Sequence, residues 1–154
     1  MTTENQIRKT LDELDQLTEV MWKRQEEWRE AHPDEDRPLV CEGVGLVGRC
    51  TDTASWLAER LGGVVHGYRH KDNPEAVLGK DEFGHDFVIV SDRWLVDWWA
   101  RDNYQERDLY DLGNPADREL VRRLYGDPEK WKPMSPGDLT EYRAHVRELI
   151  EFDS

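Results

Sequence analysis

Two apolar runs, His85-Asp86-Phe87-Val88-Ile89-Val90 and Arg93-Trp94-Leu95-Val96-Asp97-Trp98, stand almost back to back in a chain otherwise rich in charge. Only 37% of its 154 residues are hydrophobic and 36% are charged, so residues this densely apolar belong to the core. The runs are too short for helices and too apolar for strands with one wet face. They predict a central antiparallel hairpin covered on both faces. Loop length then sets which side chains share a face. A three-residue loop, Ser91-Asp92-Arg93, pairs Val90 with Trp94 and puts His85, Phe87, Asp97 and Trp99 together. A two-residue loop turns Asp97 to the opposite face.

Helical and turn signals surround this hairpin. Ile7, Leu11, Leu14, Thr18, Met21, Gln25 and Trp28 recur at helical spacing, predicting a helix over 3–31 that lies on the domain or offers a partner or dimer surface. Pro33 to Pro38 reads as a breaker and surface linker. A second helix is expected from about Thr51 to Leu61, stopped by Gly62-Gly63, with a strand from Val64 to Arg69 after it. Asn114-Pro115 and Ser135-Pro136 are helix starts, and Gly126 is a stop. We read one α+β domain over 1–154, with a catalytic-type core at 39–100 and a C-terminal helical part at 101–154.

Within that frame three residues form an ordered set. Cys50 opens the second helix, His85 opens the first strand of the hairpin, and Asp97 closes the next. A thiol at a helix N-terminus meets free N–H donors and a partial positive charge, which favour its anion. A neighbouring imidazole takes the proton, and a carboxylate orients the imidazole. Cys50, His85 and Asp97 fit nucleophile, base and orienter. Backbone N–H groups of Cys50 or of the preceding glycine loop would steady an oxyanion.

The blocks Gly48-x-Cys50-x-x-x-Ala54-x-x-Leu57-x-x-x-Leu61-Gly62, Gly67-Tyr68, His85-x-Phe87-Val88-x-Val90 and Trp94-x-Val96-Asp97 resemble the transglutaminase-like branch of the papain-like thiol enzymes. The resemblance covers about residues 43–100. It implies a nucleophile-bearing helix packed on a small antiparallel sheet that carries His and Asp, here with extra N- and C-terminal helices. It also implies acyl chemistry on amides: peptide cleavage, glutamine deamidation or acyl transfer, on a protein or peptide substrate and with no cofactor. A catalytically inactive papain-like fold that serves as a protein-binding module, such as a phage or host interaction protein, is the alternative.

Charge narrows the partners. A formal net charge of -13 argues against nonspecific binding to nucleic acid or to an anionic membrane and favours a neutral or basic partner; it also suits life in high salt or mimicry of a polyanion. No apolar stretch reaches the length of a membrane span. The opening Met-Thr-Thr-Glu-Asn-Gln lacks a basic segment followed by an apolar run. With two cysteines, Cys41 and Cys50, there is no disulfide framework, and the expectation is a cytoplasmic protein, or one delivered without a cleaved signal.

Other motifs have blander readings. Cys41 is a rival nucleophile that opens no helix. Gly43-Val44-Gly45-Leu46-Val47-Gly48 matches a dinucleotide fingerprint but lacks a firm strand before it and an acidic residue closing the next one. His66 and His70 share a strand parity without a zinc-type spacing, so no metal is expected. Trp56, Trp94, Trp98 and Trp99 suit core packing better than a substrate groove. Arg118, Arg122 and Arg123 read as a solvated helix face, with docking of an acidic partner as the sharper option.

Overall fold

The computed structural model describes residues 2–34, 50–80 and 83–152. Its elements are α1 (Glu4–Ala31), α2 (Cys50–Leu61), β1 (Val64–Arg69), β2 (Gly84–Val90), β3 (Trp94–Val96), α3 (Trp98–Tyr104), β4 (Leu109–Asp111), α4 (Pro115–Tyr125), β5 (Lys132–Pro133) and α5 (Pro136–Phe152). The class is α+β, with an antiparallel sheet in the order β4-β3-β2-β1-β5.

The hairpin takes the three-residue loop: Val90 pairs with Trp94 and Val88 with Val96. Ser91 and Asp92 both sit in the left-handed region, at φ 54° and 53°, and Arg93 N donates to Val90 O at 3.1 Å. A side chain at such a φ costs about 1 kcal/mol, which glycine avoids. Ser91→Gly should therefore stabilise the fold by about 0.5–1 kcal/mol, read as a higher urea midpoint at unchanged slope; a lower midpoint would contradict the turn geometry.

Parity divides the core as the pleat requires. Val65, Val88, Val90, Trp94 and Val96 pack on one face with α1, α2 and Val146 of α5. Phe87, Ile89, Leu95 and Tyr110 pack on the other with Val121, Leu124 and Tyr125 of α4.

Helix α1 starts at a capping box, with Thr3 and Gln6 exchanging side-chain-to-backbone hydrogen bonds. Ile7, Leu11, Leu14, Thr18 and Met21 are all buried, and burial of each large apolar chain contributes roughly 1.5–3 kcal/mol. This face is therefore occupied by the protein's own core. Asp15 strengthens the docking by accepting from Trp98 Nε1 at 2.7 Å and from Arg101.

Two expectations need correction. The second apolar run stops being a strand at Val96, because Asp97 caps a helix and Trp98 and Trp99 begin it. The stretch beyond residue 100 is not wholly helical, since β4 extends the sheet beside β3, and β5 extends it beside β1. The core reading of Trp56, Trp94, Trp98 and Trp99 holds, since each is at most 8% exposed. Asn114, Pro115 and Gly126 do start and stop α4, with Asn114 Oδ1 accepting from Ala116 N and Asp117 N.

Candidate active site

Each of the three ordered residues is held by a different local device. Cys50 is the first residue of α2 and is half-buried. His85 is the second residue of β2 and only 2% exposed. Since β3 pairs with β2 only from Val88 onward, the first turn of α3 follows where a longer β3 would have run. Asp97 lies at that junction.

Asp97 serves three donors at once. Its Oδ2 lies 2.5 Å from His85 Nε2 and accepts from Tyr125 Oη at 2.6 Å, while Oδ1 accepts from Ala100 N at 3.0 Å as the cap of α3. Its own N–H donates to Asp108 O at 2.8 Å. A carboxylate fixed by backbone and side chain alike has one orientation, and His85 inherits it.

The imidazole is enclosed by rings. Tyr104 meets it edge-on at 5.8 Å, Tyr125 lies at 5.8 Å and Phe87 at 6.2 Å between ring centroids. Burial here penalises the charged ring, yet the charge and hydrogen bond of Asp97 outweigh it, with a smaller contribution from Cys50, and push the His85 pKa up to about 10. His85 is thus an imidazolium at neutral pH. With Nε2 committed to Asp97, Nδ1 is the ring nitrogen left for the thiol; it makes no aligned hydrogen bond in this resting geometry, a looseness common in unliganded sites.

A second pair adjoins the first on the opposite parity. Thr51, next to Cys50, donates its hydroxyl to Asp86 Oδ2 at 2.5 Å, and Asp86 is next to His85. Burial raises the Asp86 pKa above the usual carboxylate value, opposed by the Thr51 bond and by His85. Gly67 makes this possible: a Cβ there would overlap Asp86 Oδ1 and come within 3.0 Å of His85 O. Tyr68, paired with His85 across the strands, donates to Leu78 O at 2.7 Å, and burial followed by the charge of Asp97 raises its pKa.

The sequence named Cys50, His85 and Asp97; the fold pairs His85 with Asp97 and sets Cys50 close enough to act on the same ring. It did not name Tyr125, Thr51 or Asp86. Thr51 and Asp86 each follow a site residue and were open to the same parity argument; Tyr125 reaches Asp97 from α4, which no local signal foretells. Cys41 and the Gly43–Gly48 loop lie outside the described residues. His66 Nδ1 is 3.1 Å from Val64 O in its own strand, and among the described residues no three side chains gather as metal ligands. Arg122 lies near Glu75 and Asp127, at 3.9 and 3.8 Å. No helix among the described residues is long and apolar enough to cross a membrane. Compared with models of protein families, with curated proteins and with solved structures, the chain matches none.

Proposed function

We propose that the protein is a thiol-dependent amide hydrolase or acyltransferase of papain-like, transglutaminase-like fold, acting on a protein or peptide in a reducing, cytoplasmic setting. The observation that carries this reading is the buried 2.5 Å contact between His85 Nε2 and Asp97, with Cys50 interacting with the same ring from the start of α2.

Cys50 Sγ, as thiolate, attacks the carbonyl carbon of a carboxamide or peptide bond. Negative charge moves to the carbonyl oxygen, where free N–H groups of the first turn of α2 hold it. The imidazolium of His85 gives its proton to the departing nitrogen, the C–N bond breaks, and a thioester remains. Water or an amine then attacks the thioester while His85 takes a proton from it. The C–S bond breaks, releasing an acid or a new amide and restoring the thiolate–imidazolium pair. Asp97 holds the ring through both steps and exchanges no proton.

Alkylation kinetics test the proposal. At pH 6, Cys50 should react with iodoacetamide on the order of a hundredfold faster than a free thiol, and His85→Ala should remove most of that advantage. Peptide mapping separates Cys50 from Cys41. A Cys50 rate no faster than that of a free thiol would sink the enzyme reading and leave the binding-module alternative.

A further inference from the structure

The cleft beside the site carries charge opposite to that of the whole chain. It holds about 600 Å³ and is lined by Thr51 and Asp86 at the end near Cys50 and His85, and by Arg69, Lys71, Lys130 and Lys132 along β1, β5 and the turn before β5. A neighbouring depression of about 570 Å³ shares Arg69 and Lys71 and ends at Phe83, which is 97% exposed. The two adjoin at Arg69 and Lys71, a track that runs between the nucleophile's neighbours and an uncovered aromatic ring.

These four cations differ from six arginines elsewhere in the fold. Arg8, Arg60, Arg93, Arg101, Arg107 and Arg147 each face a carboxylate. Arg69, Lys71, Lys130 and Lys132 make no ion pair with a described residue, although carboxylates outnumber cations 34 to 21 in the sequence. In so acidic a protein, four exposed cations converging without internal partners leave a locally attractive potential for an anion.

We infer that this track seats an acidic peptide segment, delivering the amide under attack to Cys50; this deepens the reading of Cys50 as nucleophile and rests on it. The cations meet the peptide's carboxylates, and Phe83 offers an apolar contact at the far end. A peptide fits better than a nucleic acid for two reasons. Asp72 and Asp138 also line the cleft; an unbroken row of phosphates must pass them, whereas a peptide can place uncharged residues there and its carboxylates opposite the cations. The net charge of -13 further opposes a long polyanion at every range the salt leaves unscreened.

Binding to the full-length Cys50→Ala protein tests this without the thiol. The probes are fluorescein-labelled decapeptides centred on glutamine, one flanked by glutamates and one by lysines, and a labelled single strand of ten nucleotides, followed by anisotropy at low salt. The glutamate peptide should bind about tenfold or more tightly than the lysine peptide. Lys130→Glu/Lys132→Glu should weaken it about tenfold or more, whereas Lys9→Glu/Lys23→Glu on α1, an equal change of net charge, should have little effect. Equal or undetectable binding of both peptides, equal losses in the two double variants, or tighter binding of the oligonucleotide would each overturn the proposal. Because the thiol is absent throughout, such a failure leaves the alkylation result untouched and points to the cleft alone.

Discussion

Asp97→Ala lowers the unfolding free energy by about 3–5 kcal/mol, the range for removing one partner from a buried ion pair. The substitution strips three donors of their acceptor: His85 Nε2, Tyr125 Oη and Ala100 N. Tyr125 and His85 are both almost wholly buried, so water cannot replace the lost bonds without opening the core, and an unsatisfied buried donor costs about 1–3 kcal/mol. The lost helix cap adds about 1 kcal/mol. These costs do not simply add, since His85 escapes part of its own by losing its proton. Asp97→Asn separates them: the amide oxygen still caps α3 or accepts from Tyr125, so this variant should be about 1–3 kcal/mol more stable than Asp97→Ala. Urea unfolding at pH 6 measures both. A loss below about 1 kcal/mol for Asp97→Ala would mean that the network does not hold the fold together.

That network explains why the hairpin was legible in the sequence while much around it was not. The density of Val88, Ile89, Val90, Leu95 and Val96 leaves no choice but a strand pair buried on both sides, and the parity of 85 and 97 then depends on one integer, the loop length. Ser91 and Asp92 supply it by taking left-handed conformations, which polar residues tolerate better than branched ones. The end of β3 is different. Trp98 and Trp99 continue the apolar run, and the chain turns into α3 there, capped by the bond from Ala100 N to Asp97 Oδ1. Short-range pattern cannot tell a core tryptophan on a strand from one in the first turn of a helix. β4 and β5 were illegible for another reason: three and two residues long, they have no period to detect and exist because the sheet edges offer partners.

The site divides along the same line. Residue type and local position announced the thiol, the imidazole and the carboxylate, since each chemistry requires its own side chain. Tyr125, Thr51 and Asp86 are supporting residues whose roles arise from packing. Even the N-terminal helix follows this rule. Its stripe of Ile7, Leu11, Leu14 and Met21 was plain, but the surface that covers it, α2 and the hairpin's outer face, is a tertiary fact.

The imidazolium–carboxylate pair makes stability fall with rising pH across neutrality, the reverse of what a typical acidic carboxylate gives. The folded-state pKa of His85 is raised to about 10, above an unfolded value of about 6.5. The folded protein therefore binds more protons than the unfolded chain between those values. The stabilisation is fully present below about pH 6.5 and is lost as pH rises toward about 10, with a slope of up to about 1.4 kcal/mol per pH unit. Measured in Cys50→Ser, so that the thiol does not titrate, the loss between pH 6.5 and 9 should reach about 2–3 kcal/mol. The depressed carboxyls and the raised phenols act outside that window. The depressed carboxyls of Asp111 and Asp117 add stability that disappears only as pH falls below the ordinary carboxyl range. The phenols of Tyr68 and Tyr125, raised by burial, withdraw theirs only near and above pH 10. Adding Asp97→Asn to the same background removes the charge that holds the proton, and the slope should vanish, since burial alone favours the neutral ring. A flat profile in Cys50→Ser itself would show that His85 is neutral in the folded protein. The thiol would then have a neutral base beside it in place of a preformed cation, and the fast alkylation expected at pH 6 would be lost with it.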